Sequence, residues 1–207
     1  MCGICGVFDF RGGAVQRDLV RKMSNAIRHR GPDGEGLYVC GQIGLGHRRL
    51  SIIDLQGGNQ PITNEDDSMA IIFNGEIYNF VELREELEKN GHVFKTRSDT
   101  EVILHAYEEW GIDCLDHFNG IFAFAIWDQK QKRLFIARDH IGIKPLYYVV
   151  AGNRLCLLRR SRLYFRTSNA QGRSIFRHWG NYLRSVTFLR PTRCFVGSRS
   201  FRQRTTC

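Results

Sequence analysis

The chain reads as an α+β protein, with two or three helices packed on antiparallel sheets. Three features of its 207 residues lead to that reading. Short apolar and aromatic runs recur in hairpin-like pairs. A few longer stretches carry apolar residues at three- and four-residue spacing. Nothing follows the regular strand–helix–strand alternation that a parallel sheet requires.

Taken in order, Cys5–Phe10 is a short strand closed by Arg11-Gly12-Gly13. Val15–Ile27 is helical, with Val15, Leu19, Val20, Met23 and Ile27 along one face. Arg28–Gly36 holds Pro32 and three glycines and reads as a loop. Gly44–Ile53 is strand and turn, and Met69–Phe73 is an apolar run fit for a buried strand. Phe80–Lys89 and Thr100–Trp110 are amphipathic helices. Ile121–Trp127 and Arg133–Arg138 are strands joined by the charged turn Asp128-Gln129-Lys130-Gln131-Lys132. Tyr147–Val150 is a last strand, and Gly152-Asn153 turns the chain back. Residues 1–155 are therefore expected to form one domain.

Charge separates this domain from the last quarter of the chain. The formal charge is +9, yet residues 156–207 hold 12 Arg, no Lys and no acidic residue. Residues 1–155 thus carry 18 of the 30 basic groups against all 21 acidic ones, a net of −3. A basic tail with interleaved aromatics such as Phe176, Trp179 and Tyr182 is one pattern of nucleic-acid binding. With the charge confined to the tail, a nucleic-acid partner is not the favoured expectation.

Seven cysteines at irregular spacing give no disulfide framework. Cys2 and Cys5 form a Cys-x-x-Cys, but no second pair or His cluster completes a metal site, so no metal is expected. Met1–Gly13 lacks the basic and apolar regions of a signal peptide, and no run of about 18 apolar residues exists. Cytoplasm is the expected compartment, with no membrane partner.

The most informative residue is Cys2. Removal of Met1 would put a thiol and a free α-amine on one residue, with pKa values near 8.5 and about 7.7–8.0. The amine can then serve as the thiol's own base, the N-terminal variant of nucleophilic catalysis. Taken alone, Cys2 could as well be an ordinary cysteine after the start codon.

Five further motifs decide between these readings. They are His29-Arg30-Gly31-Pro32-Asp33-Gly34, Arg49-Leu50-Ser51-Ile52, Asn74-Gly75-Glu76-Ile77-Tyr78-Asn79, Ser98-Asp99-Thr100-Glu101 and Arg138-Asp139-His140-Ile141-Gly142-Ile143-Lys144-Pro145-Leu146-Tyr147. With Met1-Cys2-Gly3-Ile4, they resemble the glutaminase domain of class II glutamine amidotransferases, and specifically that of glutamine-hydrolysing asparagine synthetases. The resemblance runs from Met1 to about Leu155.

It implies a four-layer αββα sandwich of largely antiparallel sheets, the N-terminal-nucleophile hydrolase fold. It further implies that Cys2 hydrolyses glutamine to glutamate and ammonia through a thioester. Asn74 and the Gly75 backbone N–H would form the oxyanion hole. Arg49 would hold the substrate carboxylate by a charge-assisted contact. Asp99 and Glu76 would hold its ammonium, and Leu50 and Ile52 would line the substrate site. Read locally, Asn74-Gly75 is equally a type I′ turn, and Arg49 and Asp99 are equally members of ordinary ion pairs. His29, His47 and His140 are expected to order structure, because the α-amine supplies the base. Arg30 and Asp33 are expected to order the glycine loop, and Cys5 to be a small core residue.

The resemblance also sets limits. The family's ATP-pyrophosphatase domain carries a Ser-Gly-Gly-x-Asp-Ser phosphate loop that is absent from this sequence. ATP and magnesium are therefore expected only for that missing synthetase domain, which would accept the ammonia. The glutaminase domain needs no cofactor, and a homodimer is expected only by analogy with the parent enzymes. Alternatives are an inactive truncated fragment or a basic-tailed nucleic-acid-binding protein.

After Leu155 the family continues as Phe-Ala-Ser-Glu-Ile-Lys-Ala-Leu. Here the chain reads Cys156-Leu157-Leu158-Arg159-Arg160-Ser161-Arg162-Leu163-Tyr164. Codons TGT TTG CTT CGG AGA TCA AGG CTC TAC, shifted to begin at the third base, restore the family run. Residues 156–207 are accordingly read as a frameshifted tail, expected to pack poorly and to leave an unpaired sheet edge.

Overall fold

The computed structural model describes residues 2–50, 58–158 and 186–189. It contains β1 (Gly3–Asp9), α1 (Arg17–Ala26), β2 (Gly34–Cys40), β3 (Ile43–Arg49), β4 (Ile62–Thr63) and β5 (Met69–Ile77). There follow α2 (Phe80–Lys89), α3 (Asp99–Trp110), β6 (Gly120–Asp128), β7 (Arg133–Arg138), β8 (Tyr147–Ala151), β9 (Arg154–Leu158) and β10 (Val186–Leu189). Short 3₁₀ segments, Arg28–Arg30 and Gly111–His117, follow α1 and α3.

The strands form two five-stranded sheets, in the orders β2-β3-β1-β9-β8 and β10-β7-β6-β5-β4. Every pairing is antiparallel except β10 with β7. Side-chain alternation along each strand then builds three apolar layers. Ile4 and Phe8 of β1, Ile43 and Leu45 of β3, Ala70 and Ile72 of β5 and Leu155 and Leu157 of β9 meet between the sheets. The opposite face of the first sheet, with Cys5 and Val7, packs on Val20, Met23 and Ile27 of the α1 region. The opposite face of the second, with Ile71, Phe73 and Phe124, packs on Leu83, Leu87, Val102, Ile103 and Ala106 of α2 and α3. The result is the four-layer αββα sandwich.

Local chemistry explains the helices. Ser98 caps α3 by accepting from the Thr100 N–H at 3.2 Å, and Asp99 and Glu101 place negative charge at its positive end. Gly111 ends it with φ +60°. Leu83 and Leu87, one turn apart, bury the inner stripe of α2.

Two expectations need correction. The loop expected over Arg28–Gly36 is shorter, because β2 begins at Gly34 and runs beside β3 to Cys40. Its side chains are mostly half-exposed, so β2 is an edge strand without the apolar alternation that would announce it. The boundary placed at residue 155 falls inside β9. Cys156 pairs with Val7 and Val149, and Leu157 is fully buried, so the first tail residues are part of the sandwich. The physical reason is that alternation alone places Leu155 and Leu157 on the core face, irrespective of the residues beyond them. The edge of β7 is likewise covered, by β10. The remaining expectations for the tail fall outside the described residues.

Candidate active site

The site is built from the ends of three strands, β1, β3 and β5, and the start of α3. Cys2 precedes β1, whose first residue pairs with Arg48 of β3. The Cys2 thiol accordingly lies over the end of β3, donating to the Leu50 carbonyl at 3.8 Å. Alternation turns Ile43, Leu45, His47 and Arg49 to the inter-sheet face of β3. Gly44, Gly46 and Arg48 take the α1 side, where Arg48 donates to the Ser24 carbonyl at 3.3 Å. Arg49 is 7% exposed, and its Nη1 donates to Asn59 Oδ1 at 2.9 Å.

The glycine loop closes against this end. The Asp33 N–H donates to the Arg49 carbonyl at 3.1 Å. Gly31 lies so close that an added Cβ would stand 2.4 Å from the Arg48 carbonyl carbon. Any larger residue there would push the loop off β3, so the Gly in His29-Arg30-Gly31 follows from a close backbone approach.

The second sheet supplies the facing groups. Asn74-Gly75 is not a turn: both residues lie inside β5, paired with Ala123 and Phe122 of β6. A hairpin turn would need positive φ at both positions, whereas this dipeptide continues a nine-residue strand. Asn74 shares the inter-sheet face with Ala70 and Ile72. It is 2% exposed, and its Nδ2 has no hydrogen-bond partner among the described residues. A buried amide donor without an acceptor costs roughly 1–3 kcal/mol. At Gly75 a Cβ would meet the Ile121 carbonyl oxygen at 2.3 Å, which restricts the position to glycine.

Glu76 and Asp99 come together at the end of β5. Asp99 Oδ2 accepts from the Ile77 N–H at 3.2 Å. Burial pushes the Asp99 carboxyl above the ordinary aspartate range, and the charge of Glu76 adds to the push; donation from the Ile77 and Thr100 N–H groups opposes it. Two neighbouring carboxylates of this kind favour a cation between them.

Of the predicted residues, Cys2, Arg49 and Leu50 gather on the first sheet, and Asn74, Gly75, Glu76 and Asp99 on the second. Ile52 lies outside the described residues. His29 and His140 are exposed, while His47 is buried between the sheets. Its desolvation, together with the Arg49 charge, lowers its pKa to about 3, so it is neutral at pH 7 and cannot act as a base of ordinary strength.

Sequence reasoning missed a connector, the segment Asn59-Gln60, which ties the Arg49 strand to the Asn74 strand from the side. Asn59 accepts from Arg49, Gln60 Oε1 accepts from the Phe73 N–H at 2.6 Å, and Gln60 Nε2 donates to Thr100 Oγ1 at 3.1 Å. Asn-Gln between turn residues carries no sequence signal for such a role.

Comparison with known proteins agrees with this geometry. A model of the glutamine amidotransferase domain matches residues 1–174. Asparagine synthetase [glutamine-hydrolyzing] 3 of Bacillus subtilis is 47% identical over 156 residues, covering 74% of this chain and 25% of that protein. Asparagine synthetase B of Escherichia coli is 45% identical over 148 residues, covering 71% of this chain and 26% of its own length. The chain thus spans about a quarter of these relatives. Among solved structures, the Bacillus subtilis glutamine phosphoribosylpyrophosphate amidotransferase aligns with a TM-score of 0.66 at 20% identity, over 80% of this chain and 43% of that one. At that identity the likeness concerns the fold, which is the N-terminal-nucleophile sandwich. The chain belongs to the glutamine amidotransferase domain family.

Proposed function

We propose that this chain hydrolyses glutamine to glutamate and ammonia, with Cys2 as nucleophile once Met1 is removed. The observation that carries the reading is the buried Asn74 amide, whose Nδ2 has no partner among the described residues, next to Phe73, which the Asn59-Gln60 segment joins to Arg49. The α-amine of Cys2 takes the thiol proton, and the thiolate attacks the side-chain amide carbon. Negative charge develops on the amide oxygen, where Asn74 Nδ2 and the Gly75 N–H stabilise it. The C–N bond breaks, ammonia leaves with the proton from the amine, and a thioester remains. Water then attacks the thioester and releases glutamate.

Arg49 takes the substrate carboxylate, and Asp99 with Glu76 takes the ammonium, so both charged ends of glutamine are read. Leu50 and Ile52 line the same site. No cofactor enters these steps. The ammonia acceptor is a synthetase domain absent from this chain, for which alone ATP and magnesium are expected; asparagine as the product accords with the names of the relatives. Cytoplasmic residence, a homodimeric parent enzyme and no nucleic-acid partner complete the reading. Among the described residues, no helix is long and apolar enough to cross a membrane. Residues 156–207 are read as a shifted frame, which sequencing the coding region would check.

The test is ammonia release from glutamine by the full chain, with the N-terminus confirmed by mass spectrometry. Cys2→Ala abolishes release, and so does retention of Met1. Full activity with Met1 present in every molecule would overturn the N-terminal-base mechanism. Full activity of Cys2→Ala would overturn the nucleophile itself.

A further inference from the structure

We propose that His92, His105 and Glu108 form a binding site for one divalent first-row transition ion, zinc above all, on the helical layer remote from Cys2. His105 and Glu108 stand three residues apart on α3 and so share a face, and His92 joins them from the turn after α2. Their ligand atoms all lie within 4.8 Å of one another. Glu108 Oε2 is 2.7 Å from His105 Nδ1 and 3.7 Å from His92 Nδ1. Around tetrahedral zinc with bonds of about 2.0–2.1 Å, ligand atoms sit about 3.3 Å apart. The Glu108–His105 separation must open and the Glu108–His92 separation close, each by well under 1 Å, while the two imidazole nitrogens, within 4.8 Å of one another, must approach by up to about 1.5 Å.

The surroundings are those of ligands already oriented. A metal-bound imidazole usually has a carboxylate, carbonyl or water behind its second nitrogen. His92 Nε2 lies 3.1 Å from Glu109 Oε2. His105 is 1% exposed, and its Nε2 has no hydrogen-bond partner among the described residues. That nitrogen faces Glu101 Oε1 at 3.8 Å and Glu65 Oε1 at 3.9 Å. The second oxygen of Glu108 accepts from Asn64 Nδ2 at 2.6 Å, which fixes the carboxylate plane. Phe94 packs edge-on against the His105 ring at 4.6 Å and forms an apolar wall. Two imidazoles and a carboxylate suit zinc, copper or nickel better than calcium or magnesium. His92 and Glu108 side chains remain 15% and 17% exposed, which leaves an entry path and a fourth position for water.

Equilibrium dialysis of the full chain against zinc tests the site, in a Cys2→Ala background that removes the reactive thiol. One equivalent should bind. His92→Gln and Glu108→Gln should each weaken it by tenfold or more, and Glu109→Gln by roughly tenfold. Cobalt(II) in place of zinc should give visible bands without thiolate charge transfer. Zinc should also raise the melting temperature of the parent but not of folded His92→Gln. Sub-stoichiometric binding, affinity unchanged in both His92→Gln and Glu108→Gln, or cobalt spectra dominated by thiolate ligation would each overturn the proposal.

Discussion

Two histidines, His47 and His105, are each 1% exposed, yet the regions around them hold them in opposite charge states. His47 sits in the inter-sheet layer beside Arg49, where desolvation and the guanidinium together keep its ring neutral. His105 sits under the helical layer. Burial alone would lower its pKa, but the carboxylates of Glu101 and Glu108 outweigh that and raise it to about 9. Depth therefore does not decide ionisation; neighbours do. Both regions keep buried nitrogens without hydrogen-bond partners among the described residues, His47 Nε2 and Asn74 Nδ2 in one and His105 Nε2 in the other. Only His105 is ringed by carboxylates, with Glu101 and Glu65 at 3.8 and 3.9 Å from Nε2 and Glu108 at 2.7 Å from Nδ1. On the proposals above, the first region would meet a substrate oxygen and the second a proton or a metal.

The largest expected effect is on acid stability. His47 is neutral in the fold and, when unfolded, protonates near 6.5, the ordinary value for histidine. Its contribution is complete above pH 6.5 and is lost as pH falls toward about 3. The full titration amounts to something on the order of 5 kcal/mol. Chemical denaturation of the wild type and His47→Gln between pH 7 and pH 4 measures it. The variant should show a much shallower loss on acidification; equal slopes would mean that His47 is not kept neutral by burial.

Next comes Asn74→Ala, which should lower kcat for glutamine hydrolysis by roughly 10²–10³. Because Nδ2 has no partner to lose among the described residues, the melting temperature should hardly move. A variant that melts far lower with undiminished kcat would make Asn74 structural and erase the contrast between the two regions.

The helical layer should respond with the opposite sign to His47. In metal-free protein, the His105 contribution is complete below pH 6.5 and is lost as pH rises through about 9. Glu101, held down to about 2 against its burial by His105, Thr96 and the Lys95 N–H, contributes above pH 4.5 and loses that only toward pH 2. The groups facing His105 are Glu65, Glu101, Glu108 and His92. Together the His105 shift is worth about 3 kcal/mol. A pH–stability profile of His105→Gln against wild type, in the presence of chelator, should diverge above pH 7. Divergence below pH 6 instead would place His105 in the same class as His47.

Most of the sandwich is legible because its central strands are short continuous apolar runs. Met69–Phe73 and Ile121–Trp127 announce themselves by apolar runs, and the observed helix Phe80–Lys89 coincides with its pattern. Strand β2 was not legible, since an edge strand with half-exposed side chains lacks that alternation. The extension of β5 through Asn74-Gly75 was not legible locally either, because the dipeptide favours a turn and only pairing with β6 overrides it. Site residues could be named from motifs, whereas the bridges at Asn59 and Gln60 depend on contacts between segments distant in sequence. The same is true of His92 beside His105-x-x-Glu108: thirteen residues separate the two histidines in the chain, and only the packing of α2 on α3 brings them together.

The smallest effect concerns Asp99. Its carboxyl titrates above the usual aspartate range because it is buried and lies near Glu76. A substrate ammonium between these two groups would favour the ionised form and lower that pKa on binding. If Asp99 holds the ammonium as proposed, linkage makes glutamine bind more weakly as falling pH protonates Asp99, so KM should rise on acidification independently of changes in kcat. Between pH 7 and pH 5 the rise should stay below roughly tenfold, or 1.4 kcal/mol. Asp99→Asn should start from a higher KM, and most of this pH dependence should disappear. If KM in the variant still climbs as steeply as in the wild type, the titrating group is another one and Asp99 does not hold the ammonium.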